Sequence, residues 1–197
     1  MTDTDELLYG THHMVLKALG VDPRIRRVVE FGGGRYSTSY FLRRDVFYHL
    51  VSLVTVETNA CWRRMLKAWH EDDNRWLLAD TREEGLHLSE YEPSGWFAFT
   101  DVVLIDDGVT PQQRVDTIAA LNDLMMQPYT QFRGVVVIHD YENPLYANEA
   151  RKFWQIEAVF DAVPPYTAML AMPFTRGEAF LRDAAARLNL PVEVRYG

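Results

Sequence analysis

A chain of 197 residues, 48% of them hydrophobic, is long enough for one domain with a substantial core, and its formal net charge of −8 excludes the clustered Lys and Arg that nucleic acid or an anionic membrane would require. Cys61 is the only cysteine, which excludes an intramolecular disulfide and a cysteine-based zinc site and suits a reducing cytosol. The opening residues Met1 to Glu6 are acidic where a signal peptide is basic, and no uninterrupted run of about 18 apolar residues occurs, so the expectation is a soluble, cytoplasmic protein with small-molecule partners, no membrane and no nucleic acid, for which a homodimer stays open.

From Leu7 to Leu19, the residues Leu8, Val15, Leu16 and Leu19 recur at helical spacing, with Gly20 as a C-cap and Pro23 beyond. His12 falls on that apolar face and His13 beside it, which reads as one packed and one exposed histidine. Their place just ahead of a ligand-type turn keeps a chemical role open. In the turn itself, Val28 and Val29 lead into Glu30 and Phe31, then Gly32, Gly33 and Gly34, and Ser37 and Thr38 open a new apolar run: buried strand, tight turn, helix start. Glycines without Cβ atoms let the backbone come close to a ligand, and the new helix offers unpaired N–H groups to an anionic group. The dinucleotide fingerprint asks for a further glycine where Tyr36 and Ser37 stand, so the loop favours something other than a pyrophosphate.

Ser37 or Thr38 is expected to cap a helix running through Tyr40, Phe41, Phe47 and Tyr48, its aromatics on the sheet. Ser52 to Val56 is a second, β-branched strand ending at Glu57, a carboxylate placed to accept the two hydroxyls of a ribose. Trp62, Met65, Leu66 and Trp69 give an amphipathic helix whose tryptophans belong to the core, with Cys61 packed beside Trp62. A third strand, Arg75 to Ala79, stops at Asp80, and residues 81–95 read as a loop with a short helix. Asp101 to Ile105 is a fourth strand, ending in Asp106, Asp107 and Gly108. Pro111 opens a helix with Val115, Ile118, Leu121 and Leu124 on one stripe, and Val135 to Ile138 is a fifth strand ending in His139 and Asp140.

Five apolar strands alternating with helices imply a doubly wound, mostly parallel, Rossmann-like α/β sheet with helices on both faces and right-handed crossovers. Ligands bind such sheets outside the carboxyl ends of the strands, so Glu30, Glu57, Asp80, Asp106, Asp107, His139 and Asp140 should converge on one rim. A polar helix follows near Asn143 to Trp154. Pro164-Pro165 then splits two short strands, Ala158 to Val163 and Tyr166 to Met172, which can form an antiparallel hairpin at one edge; a last helix runs from Glu178 to Leu188.

The order of these strand ends resembles class I S-adenosylmethionine-dependent methyltransferases across residues 28–172. The acidic-x-Gly-x-Gly of that family is matched by Glu30-Phe31-Gly32-Gly33-Gly34, its ribose-binding acid by Glu57, and its third-strand acid near the adenine by Asp80. Ile105-Asp106-Asp107-Gly108 and Val137-Ile138-His139-Asp140-Tyr141 further resemble small-molecule O-methyltransferases. The resemblance implies a single domain: an N-terminal helix and lead-in over 1–27, a cofactor-binding core over 28–172 and a C-terminal helix and tail over 173–197. It also implies S-adenosyl-L-methionine held by Glu30, Phe31, Gly32, Gly33, Gly34, Ser37, Thr38, Glu57, Asp80 and Asp106, with His139, Asp140 and Asp107 as catalytic groups. Asp106 and Asp140 could alternatively hold a divalent ion such as Mg2+ that lowers the acceptor's pKa.

An amino-methylating DNA enzyme is excluded despite Pro164-Pro165-Tyr166, because Val163 replaces the polar residue such a motif needs and the chain is acidic. Two alternatives stay open at this point. One is a nicotinamide-dependent oxidoreductase, for which neither the further glycine nor a Tyr-x-x-x-Lys group is present; the other is a non-catalytic, ligand-binding member of the fold.

Overall fold

The computed structural model describes residues 11–81, 99–108, 110–126 and 132–195. Leu7, Leu8 and the expected loop beyond Thr81 lie outside them. In chain order the elements are α1 (Thr11–Gly20), β1 (Arg27–Phe31), α2 (Thr38–Phe41), β2 (Ser52–Val56), α3 (Ala60–His70), β3 (Trp76–Ala79), β4 (Val102–Ile105), α4 (Pro111–Met125), β5 (Val135–His139), α5 (Pro144–Ala150), β6 (Ile156–Phe160), β7 (Thr167–Ala171), α6 (Arg176–Leu188) and β8 (Glu193–Val194). The strands form one sheet in the order β3-β2-β1-β4-β5-β7-β6-β8. The first five are parallel, and the β6–β7 hairpin joins antiparallel through β7 on β5, with two-residue β8 on β6. The expected parallel core and antiparallel edge are both present.

Side chains alternate across the sheet, and the two cores divide along that alternation. Val28, Leu53, Val102, Leu104, Val135, Val137 and Met169 enter one cluster with Val15, Leu16, Leu66, Phe180 and Leu181, so α1, α3 and α6 cover that face. Val29, Phe31, Val54, Val103, Ile105, Val136 and Ile138 enter the other with Ile118, Leu121, Tyr146 and Ala150, from α4 and α5. Strands buried on both faces read as unbroken apolar runs, which is why they are visible in the sequence.

Three local expectations are corrected. α2 is only four residues long and is followed by turns; Phe41 and Phe47 are nevertheless both buried, while Tyr48 is exposed. On α3, Leu66 alone is buried; Trp62 is 39% and Trp69 47% exposed, and Cys61 is exposed too, so the stripe is not core. Asn59 fixes the start of this helix by accepting the N–H groups of Cys61 (2.9 Å) and Trp62 (3.2 Å) through its side chain. The histidine pair is half as expected: His12 is buried, but His13 is half-buried, stacked on the Tyr40 ring at 4.3 Å and in contact with the Tyr36 carbonyl.

Candidate functional site

β1 continues sequentially to β2 on one side, while β4 lies on its other side, so the strand order reverses between β1 and β4. At such a switch point the crossovers diverge and leave a crevice above the strand ends. A cavity of about 360 Å3 opens there, lined by His12, the Gly32 to Ser37 loop, Glu57 to Asn59, Trp62 and Asp106 to Gly108. That volume lies within the ordinary range for small-molecule sites.

Two glycines are required by the packing. Gly32 has φ +87°, and a Cβ on it would lie 2.4 Å from the Asp106 carbonyl oxygen. At Gly33 a Cβ would come within 2.4 Å of Thr55 Cγ2 and 2.7 Å of Leu66 Cδ1. The loop is thus pressed between the ends of β4 and β2, which only a chain without side chains permits.

Glu30 braces the loop from below instead of lining the cavity. Trp76 Nε1 donates to Thr55 Oγ1 (3.0 Å), Thr55 Oγ1 donates to Glu30 Oε2 (2.8 Å), Thr38 Oγ1 donates to the same oxygen (2.7 Å), and the Gly34 N–H donates to Thr38 Oγ1 (3.1 Å). This relay ties β3, β2, β1 and α2 to the glycine loop. Glu30 is 0% exposed, and that burial pushes its carboxyl up to about 7 against the lowering effect of the Ser37, Thr38 and Thr55 hydroxyls. Thr38 and Phe31 are likewise fully buried and support the loop from outside the cavity; Ser37, nearly buried, does line it.

Glu57 is placed differently. It lines the cavity, its Oε1 accepts the Asn59 N–H (2.7 Å), and Arg63 Nη1 donates to its backbone oxygen (3.2 Å), which fixes the β2 end. Burial raises its pKa, with the Asn59 N–H opposing and Asp107 adding to the rise. Asp80 departs from expectation: it does not line the cavity and faces Arg63 Nε at 3.4 Å, its side chain 58% exposed.

Around β4 and β5 the strand-end acids are organised by a residue that sequence reasoning missed, Arg114 of α4. Its Nη2 donates to Asp106 Oδ1 (2.9 Å), Nη1 to Asp140 Oδ2 (2.7 Å) and the His139 carbonyl (2.9 Å), and Nε to the Asp107 carbonyl (3.0 Å). The guanidinium lies over the Tyr146 ring at 5.1 Å. The two acids read as a candidate divalent-ion pair, Asp106 and Asp140, are thus both engaged by one guanidinium. Asp140 takes the left-handed conformation (φ 56°), uncommon outside glycine, which turns its side chain toward Arg114. Asp107 Oδ2 accepts the Thr117 hydroxyl (2.5 Å) and also lines the cavity.

On the opposite face the alternation of β4 and β5 sends Asp106 and His139 toward α1. His139 Nδ1 meets Asp106 Oδ1 at 3.1 Å and Asp140 Oδ1 at 3.5 Å. Burial pulls His139 down, but the hydrogen bond and charge of Asp106, with the charge of Asp140, outweigh it and raise its pKa; Asp106 is held low against its own burial by His139 and Arg114. The His12 ring lies edge-on to His139, centroids 4.8 Å apart. His12, His139 and Asp106 each offer a ligand atom within 4.8 Å of the others.

By sequence, neither a family model nor a curated protein matches the chain. By structure, it resembles spermidine synthase from Thermotoga maritima (TM-score 0.53, 17% identity, covering 88% of this chain and 62% of that one). It likewise resembles an rRNA methylase from Streptococcus thermophilus (0.53, 14%, 84% and 96%) and the methyltransferase domain of a bacterial Hen1 protein (0.53, 10%, 86% and 99%). The chain spans about three-fifths of the length of the spermidine synthase. With its switch-point cavity, its 3-2-1-4-5 parallel core and its antiparallel β7 inserted beside β5, the chain has the Rossmann-like class I methyltransferase fold.

Proposed function

We propose that the protein transfers the methyl group of S-adenosyl-L-methionine to a small molecule, at oxygen. The observation that carries this reading is the cavity itself: a glycine loop and a strand-end carboxylate line it together, at the switch point of a methyltransferase fold. The residues fit the donor. Gly34 has open space where a Cβ would stand, its nearest neighbour being Ser37 Oγ at 3.9 Å, so the loop backbone can pass along an extended chain. Glu57 can accept ribose hydroxyls, and Trp62, half-exposed beside it, offers a ring face to a planar base. When bound, the donor supplies an activated sulfonium methyl, so the protein's task is alignment, exclusion of water and removal of a proton from the acceptor.

Of the three catalytic candidates, His139 carries the proton. Asp106 holds the ring through Nδ1, and the imidazole would take up the acceptor's hydroxyl proton as the methyl–oxygen bond forms. Asp140 and Asp107 act as positioning residues, one committed to Arg114 and the other to Thr117. A net charge of −8 supports a small acceptor over RNA. Calorimetric titration with S-adenosylhomocysteine and, separately, with NAD tests the reading. Binding of the former and not the latter is expected; a well-folded protein that ignores S-adenosylhomocysteine overturns it.

A further inference from the structure

The geometry points to a transition-metal site formed by His12, Asp106 and His139, on the α1 side of the sheet. Three residues from three elements meet there: His12 from the first turn of α1, Asp106 after β4 and His139 at the end of β5. The register explains the meeting, since Leu104 and Asp106 on β4, and Val137 and His139 on β5, share the face that α1 covers.

His12 is the observation that asks for a ligand. It is 2% exposed, it lines the cavity, and neither Nδ1 nor Nε2 makes a well-formed hydrogen bond. Buried polar groups left in that state are costly, and native proteins keep them where something else completes them.

The donor set selects the class of ion. Two imidazoles and one carboxylate suit zinc, cobalt, iron or nickel, whereas magnesium prefers oxygen ligands and retains its water. Separations of up to 4.8 Å exceed the spacing of ligands around such an ion, so binding draws the three groups inward, chiefly through the His12 side chain. Arg114 then becomes outer support, holding Asp106 Oδ1 from the other face. Held by these three residues, such an ion would lower the pKa of a hydroxyl acceptor beside it. Metal binding at these three residues requires no methyl donor.

The test is calorimetric titration of the chelator-treated full chain with Zn2+ and Co2+, and with Mg2+ for comparison. One equivalent of Zn2+ or Co2+ is expected to bind and Mg2+ not; His12→Gln and His139→Gln should each weaken binding by roughly tenfold or more. Cys61→Ser and His70→Gln, which alter exposed or remote ligands, should leave it unchanged. Absence of Zn2+ and Co2+ binding, equal binding of Mg2+, or unaltered binding in folded His12→Gln protein overturns the assignment. Should the His12 variant fail to fold, the parent protein with Co2+ gives an independent count: two paramagnetically shifted imidazole N–H resonances are expected, and one or none refutes the site.

Discussion

Asp106 belongs to two clusters built on opposite rules. Toward α4, every acid has a donor: Arg114 serves Asp106 and Asp140 and caps two carbonyls, and Thr117 serves Asp107. Toward α1, His139 leans on Asp106 while neither ring nitrogen of His12 makes a well-formed hydrogen bond. Removing water from a charge is repaid only when its geometry is complete, so the first cluster is a brace and the second a place for a ligand. Strand-end acids therefore cannot be read as a set; the helix packed against each one decides its role.

The sharpest way to break this contrast is Arg114→Ala. With its guanidinium gone, Asp106 and Asp140 lose their shared counter-charge and two carbonyls lose a donor. The partial exposure of Asp140, 40% at the side chain, lets water share the load, so a loss of about 3 kcal/mol is expected in chemical denaturation. Retention of full stability would show that the brace is ornamental.

Glu30→Gln is expected to have a similar span, but dependent on pH. Because burial raises the Glu30 pKa to about 7, the folded state favours the neutral acid; its contribution is complete below the ordinary carboxylate range and is lost as pH rises through about 7. Relative to the glutamine variant, the parent should lose on the order of 3 kcal/mol across that window, measured by denaturation at both ends. A difference independent of pH would mean that Glu30 is already ionised in the fold.

The third test concerns binding. Glu57→Ala should weaken S-adenosylhomocysteine by about 1–3 kcal/mol through loss of charge-assisted hydrogen bonds, with little change in stability. Unchanged affinity in the calorimeter removes Glu57 from the site. The smallest expected effect is His12→Leu: replacing an unpartnered buried ring by an apolar group of similar size should leave stability within about 1 kcal/mol of the parent, on the favourable side. A large loss in the thermal melt would show that the ring is satisfied after all.

Much of this was readable in the chain. The strands announce themselves because both faces are buried, and the glycine loop with Glu57 follows from residue chemistry. Alternation alone places Asp106 and His139 on one face and Asp107 and Asp140 on the other. What pattern could not supply was pairing between distant segments: Arg114 reads as one more helix charge until its guanidinium is seen between two strand ends, and His12 reads as a packed histidine because its neighbours lie about a hundred residues away. Glu30 lies beneath the loop and off the cavity for a related reason. Motif position says where an acid lies along a strand, not whether hydroxyls from Thr38 and Thr55 have already claimed it. Trp62 and Trp69 follow a helical period that is sound, but the face they mark is not covered by the sheet.

The helix carrying His12 takes its position from a segment that meets no ligand. Val15, Leu16 and Leu19 of α1 share a core cluster with Phe180, Leu181 and Ala184 of α6, and Arg187 Nη1 donates to the Ala18 carbonyl (2.9 Å). The C-terminal helix is thus the abutment against which the histidine floor is set. Fraying there would widen the tolerance with which His12 approaches Asp106 and His139, so the chemistry of the pocket can be detuned from its far side without altering a single residue that lines it.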